Sequence, residues 1–137
     1  MDEILEFLLK HASFLYRDHK FRFADSAISD SFGDAVLVME SPDFNLRFCR
    51  DRGRLHLEFQ SNALPRDDAD SWYSIELVRY VITKEDQFRG ILDQDNAMFL
   101  QAHYNDIRNM FSEKQIYETV DKLKHAKHIR AKHIFAS

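Results

Sequence analysis

The amino-acid sequence predicts an α+β domain: an antiparallel β-meander of about four strands, with one N-terminal helix before it and two to three C-terminal helices after it. Three observations lead there. Apolar residues recur at helical spacing near the start, switch to alternation between Phe21 and Gln60, and return to helical spacing beyond Trp72. The 137 residues fit a single domain spanning 1–137. Hydrophobic residues make up 45 % and only three Gly and two Pro occur, which argues against a disordered chain.

Each element has its own signal. From Asp2 to Tyr16, Ile4, Leu8, Ala12 and Leu15 form one helical stripe that Leu5 and Phe7 widen, and Asp2 and Glu3 sit in the first turn where acids are favoured. Phe21 and Phe23 alternate with Lys20 and Arg22, as in a short strand. Asp25–Gly33 is polar and reads as a turn or loop. Ala35–Met39 is a β-branched apolar run of strand length, closed by Ser41-Pro42-Asp43. Phe44, Leu46 and Phe48 then alternate with Asn45, Arg47 and Cys49. After the turn Asp51-Arg52-Gly53, Leu55, Leu57 and Phe59 alternate with Arg54, His56 and Glu58, completing a hairpin with one apolar face.

Ser61–Asp70 reads as a loop. Trp72, Ile75, Val78 and Ile82 fit a helix N-capped by Asp70 or Ser71. A further helix is expected from about Asp95, with Phe99, His103, Ile107 and Met110 on one stripe. Ser112-Glu113-Lys114-Gln115 has the capping-box pattern and predicts the start of the last helix, whose apolar stripe is Ile116, Val120 and Leu123.

Charge is unevenly placed. The net charge is −4, yet Lys122, Lys124, Lys127, Arg130 and Lys132 close the chain with no acid among them. Residues 1–121 therefore hold fourteen basic and all twenty-three acidic residues, an excess of nine negative charges. An acidic body repels phosphate backbones and speeds encounter with a basic protein. The cations at the end complement a helix macrodipole, and they also leave open a nucleic-acid-binding or adaptor role for the basic C-terminal helix. The most prominent acids fall in expected loops: Asp67, Asp68 and Asp70 in one, Asp93 and Asp95 in another. These five are the expected partner-binding residues, since a cationic partner relieves the cost of crowded like charges.

Catalytic and metal chemistry finds little support. No Walker A loop, dinucleotide-binding glycine fingerprint, HExxH or G-x-S-x-G motif occurs, so no cofactor is expected and the chain is not expected to be an enzyme. His125 and His128 lie three apart on the basic helix, but neighbouring Lys residues are not zinc ligands, and no metal is expected. His56, with Arg47 and Arg54 on the polar face of the hairpin, is the best catalytic alternative: a general acid/base with two arginines to steady phosphate, as in a small metal-independent ribonuclease. Charged cross-strand pairs explain the same residues without chemistry. His103 and Asp106 form a possible base and orienter. Arg47 and Arg50 beside Cys49 would lower its thiol pKa. A single Cys, an acidic N-terminus unlike a signal peptide, and no apolar run of membrane-spanning length together predict a cytoplasmic protein that avoids membranes.

The layout carries a resemblance. A leading amphipathic helix, the hairpin F-N-L-R-F-C-R-D-R-G-R-L-H-L-E-F, the segments W-Y-S-I-E-L and Y-N-D-I-R-N-M-F-S, and a basic terminal helix running to H-I-F together resemble small bacterial immunity proteins. These protect cells from polymorphic toxins, including those of contact-dependent growth inhibition systems. The resemblance implies a cytoplasmic toxin inhibitor that covers the active site of a cognate toxin domain. That domain would be a basic nuclease, and an acidic inhibitor surface would mimic its nucleic acid. It assigns no individual binding residue.

Overall fold

The structure is a computed structural model that describes residues 1–29, 34–65, 71–85 and 87–136, with residues 135 and 136 described by backbone alone. Helices α1 (Asp2–His11) and α2 (Phe14–Asp18) precede strands β1 (Arg22–Ile28), β2 (Ala35–Glu40), β3 (Asn45–Asp51), β4 (Arg54–Gln60) and β5 (Tyr73–Ser74). Helices α3 (Ile75–Thr83), α4 (Gln94–Ala102), α5 (Tyr104–Met110) and α6 (Ile116–Ala136) follow. The sheet is antiparallel in the order β1-β2-β3-β4-β5, so the fold is α+β as expected. No helix among the described residues is long and apolar enough to cross a membrane.

The strands legible in sequence form with a clean register. Leu37 pairs Phe48 and Met39 pairs Leu46, while Phe48 pairs Leu57 and Leu46 pairs Phe59, so these six residues share one face and all are buried there. Arg52 and Gly53 make the β3–β4 turn at φ +52° and +81°, the pair of positive φ angles that a two-residue turn between right-twisted strands requires. In the β2–β3 loop, the Ser41 hydroxyl donates to the Phe44 carbonyl (2.8 Å) and accepts from the Asp43 and Phe44 amides (3.1 and 3.2 Å).

Other elements depart from expectation for physical reasons. The single helix over Asp2–Tyr16 is two, because the backbone turns at Ala12 and so brings Phe14 and Leu15 into the core beside Ile4 and Leu8. The segment from Asp25 is not loop: β1 runs to Ile28, and since all seven of its residues are exposed it carries no apolar alternation. The helix expected to include Trp72 starts later, and Asp70, one of its two expected N-caps, lies outside the described residues. Tyr73 and Ser74 pair with Phe59 and Glu58 as β5, α3 begins at Ile75, and Trp72 stays outside it. The stripe from Phe99 to Met110 is broken at His103 into α4 and α5. The Ser112 hydroxyl donates to the Asn109 carbonyl (2.6 Å), closing α5, so it does not take the role expected of it at the start of α6.

Aromatic rings fill the centre. Phe44 is fully buried, with the rings of Phe21, Phe59, Tyr104 and Phe111 all between 5.4 and 6.0 Å from its own. The Tyr104 hydroxyl donates to Asp43 Oδ2 (2.9 Å), joining α5 to the β2–β3 loop, and burial together with that carboxylate raises its pKa above the ordinary phenol value. Helix α1 packs on β3 and α4, and α3 packs on β4 and α6.

Candidate partner-binding face

The expected acidic residues fall into two groups. Asp67, Asp68 and Asp70 lie outside the described residues. Asp93 and Asp95 sit where the 88–93 loop enters α4, and both have local partners. Asp93 N-caps the helix by accepting from the Asn96 amide (3.0 Å) and pairs with Arg89 (3.1 Å). Asp95 accepts from Arg79 (2.8 Å) and Arg89 (3.5 Å). Asn96, 1 % exposed, sits beneath them and donates to the carbonyls of Arg89 (3.1 Å) and Ile91 (2.7 Å) while accepting from Arg79 (2.9 Å). The two aspartates thus help to build a loop, and two arginines balance their charge in place.

The catalytic alternatives are dispersed. Arg47 is held by Glu58 (2.8 Å) and lies over the Trp72 ring at 4.5 Å, so it is turned to the β5 side of the hairpin. Arg54 and His56 instead line a hollow of about 360 Å³ with Arg89 and Gly90. The Cys49 thiol donates to Glu58 (3.6 Å), and its pKa is raised to about 11, first by burial and then by the Glu58 charge. That reverses the lowering expected from Arg47 and Arg50. The Arg47 charge only partly opposes the rise, and Arg50 lies on the other sheet face, paired with Glu3 (3.0 Å). His103 Nδ1 meets Asp106 Oδ2 at 3.2 Å on an exposed helix surface. Among the described residues, no three His, Cys, Asp or Glu side chains are grouped to hold a metal ion.

The basic helix is partly consumed by packing. Arg130 on α6 pairs with Glu76 and donates to Ser74 (3.3 Å) at the start of α3, and Lys127 lies over the Tyr73 ring (5.2 Å). These cations fasten the last helix to the sheet in addition to any macrodipole effect.

The most unusual surface is one that sequence reasoning missed. On α1, Leu5 and Leu9 are 38 % and 69 % exposed; next to them Tyr16 of α2 is 39 % and Phe23 of β1 is 62 % exposed. Leu5, Leu9, Tyr16 and Phe23 line one wholly apolar hollow of about 500 Å³. Leu5 and Phe23 also border a second hollow of about 510 Å³ with Met1, Asp25, Ser26 and Leu37. Taking about 200 Å² for each large side chain, the four expose roughly 400 Å², the scale at which a patch on a monomer tends to be functional. The hollow lies where α1 packs over β3 and the edge strand β1 stays exposed along its whole length. Asp2 and Glu6 lie beside Leu5 and Leu9 at helical spacing, are exposed, and have no ion pair among the described residues. The available signal was the width of the α1 stripe, since Leu5 and Leu9 extend it past the arc that one core face covers.

No protein family, curated protein or solved structure matches the chain.

Proposed function

We propose that the chain is an immunity protein: a non-enzymatic, cytoplasmic inhibitor that binds a bacterial toxin domain, a basic nuclease, and neutralises it by covering its active site. The acid-bordered apolar face of α1, α2 and β1 is the observation that carries this reading. A contiguous apolar patch gives a partner the surface to desolvate, while the negative excess of residues 1–121 steers a basic partner toward it. Asp67, Asp68 and Asp70, clustered in the sequence, form a second contact region within this proposal; Asp93 and Asp95 add less, because Arg79 and Arg89 offset them.

The test is co-expression with a candidate basic nuclease domain taken from a neighbouring gene, followed by co-purification and a nuclease assay at equal concentrations. Inhibition is expected, with an association rate that falls about tenfold as sodium chloride rises from about 50 to 500 mM. Full nuclease activity in the presence of excess purified protein overturns the proposal. The hollow shared by Arg54 and His56 favours one rival, a small ribonuclease. RNA cleavage by the purified chain that disappears in His56→Ala would replace inhibition with catalysis.

A further inference from the structure

Strand β1 ends the sheet: it pairs with β2 on one side, and no described strand pairs with its other side. A strand with a free edge presents a row of backbone donors and acceptors to any extended chain. Its register shifts between Phe23 and Asp25, and this bulge sorts its side chains. Phe23, Ser26 and Ile28 pair with Met39, Leu37 and Ala35, which are buried, so they face the core side. Arg22, Asp25 and Ala27 pair with Glu40, Val38 and Val36 and face the opposite side. Beyond the bulge, Asp25 to Ile28 form four consecutive regular pairs with β2, a straight run against which a further strand can align. The apolar hollow of Leu5, Leu9 and Phe23 opens beside this edge on the core side.

We infer that β1 accepts an extended segment of the partner protein as a sixth strand, and that this segment alternates apolar and basic residues. The inference rests on the reading that the chain binds a partner protein. Alternation follows from the pleat: residues on the core side of the added strand enter the hollow, and their neighbours emerge beside Asp25. Basic residues follow from charge: they emerge on the side of Asp25, which is exposed and has no ion pair among the described residues, while Asp2 and Glu6 on α1 add to the negative field around the edge. A second copy of this chain is disfavoured at the same edge, because it would bring those acids against their own equivalents.

The full-length protein is titrated with a capped eight-residue peptide of alternating Lys and Val while its backbone amides are followed by NMR and hydrogen exchange. The controls are a Glu/Val peptide and a peptide with four Lys followed by four Val. The expected result is shift changes confined to β1, α1 and α2, slowed exchange at residues 25–28, and binding about tenfold weaker for both controls and for Phe23→Ser. Phe23 is largely exposed, so this variant keeps the wild-type circular dichroism spectrum and melting temperature. Absence of binding, shifts centred elsewhere, or equal binding by all three peptides overturns the inference. So does exchange protection at residues 25–28 that grows with protein concentration alone, which would assign the edge to a second copy. If the peptide adds to β1 while no nuclease is inhibited, the strand-addition site stands and the immunity reading falls. If a toxin is inhibited but the peptide does not bind, the immunity reading stands and this site falls.

Discussion

Gly90 offers a close test of how the last helix is held. A methyl group built on Gly90 would stand 2.7 Å from Glu76 Oε2, nearer than nonbonded atoms tolerate. An ordinary surface Glu would swing away at little cost, but Glu76 is pinned: Arg130 and Ser74 both bond its Oε1, and its side chain is only 18 % exposed. Gly90 is not in the left-handed region, so Ala at this position meets no backbone penalty and the clash is the whole effect. Displacing the carboxylate weakens a charge-assisted bond of roughly 1.5–3 kcal/mol, reduced by partial exposure to about 1–2 kcal/mol for Gly90→Ala. In a Glu76→Ala background the clash is gone, and Gly90→Ala becomes neutral or stabilising by about 0.5 kcal/mol through lost unfolded-state freedom. Urea unfolding of the four proteins in this double-mutant cycle gives the coupling directly. Equal costs for Gly90→Ala in both backgrounds would refute the claim that Arg130 fixes the Glu76 carboxylate.

Three more outcomes follow from the core and its titrating groups. Phe44→Ala removes a fully buried ring from the aromatic cluster and is expected to cost about 3–5 kcal/mol in urea unfolding, a third or more of the stability of a domain this size. A loss under about 1.5 kcal/mol would mean that the cluster repacks. Because the Cys49 pKa is raised to about 11, its reaction with a chromogenic disulfide at pH 8 should be at least ~10-fold slower in the native protein than in urea; equal rates would contradict the burial. Tyr104 is held neutral in the fold, so its contribution is complete below the unfolded phenol pKa of about 10 and is lost as pH rises above it. The stability gap between wild type and Tyr104→Phe, about 1 kcal/mol at pH 8, should therefore shrink between pH 10 and 11, and a constant gap across that range would count against the assignment.

The hairpin was readable because each of its strands buries one face and wets the other, so composition repeats the pleat. Strand β1 was half missed for the opposite reason: both its faces are exposed, and Asp25, Ser26 and Ala27 look like a turn to any reading based on burial. The breaks at Ala12 and His103 were invisible because neither involves Gly or Pro; the core decides them by drawing Phe14 and Tyr104 inward. At the candidate site, acid content was readable but neutralisation was not. Arg79 lies sixteen residues from Asp95 and meets it only because α3 and α4 converge. Leu9 and Phe23 carried no warning singly, since an isolated exposed apolar residue is ordinary. They became informative only when the fold set them side by side.

The sheet whose spatial order copies its sequence order has a consequence for synthesis. At roughly 5–20 residues per second, translation can deliver each hairpin to the strand before it without waiting for distant chain. Helix α6 is different, since its Arg130 meets Glu76 across fifty-four residues. A ribosome-bound chain that has released α5 but not α6 therefore leaves the flank of α3 uncovered, and closing it is the last packing step of the newborn protein.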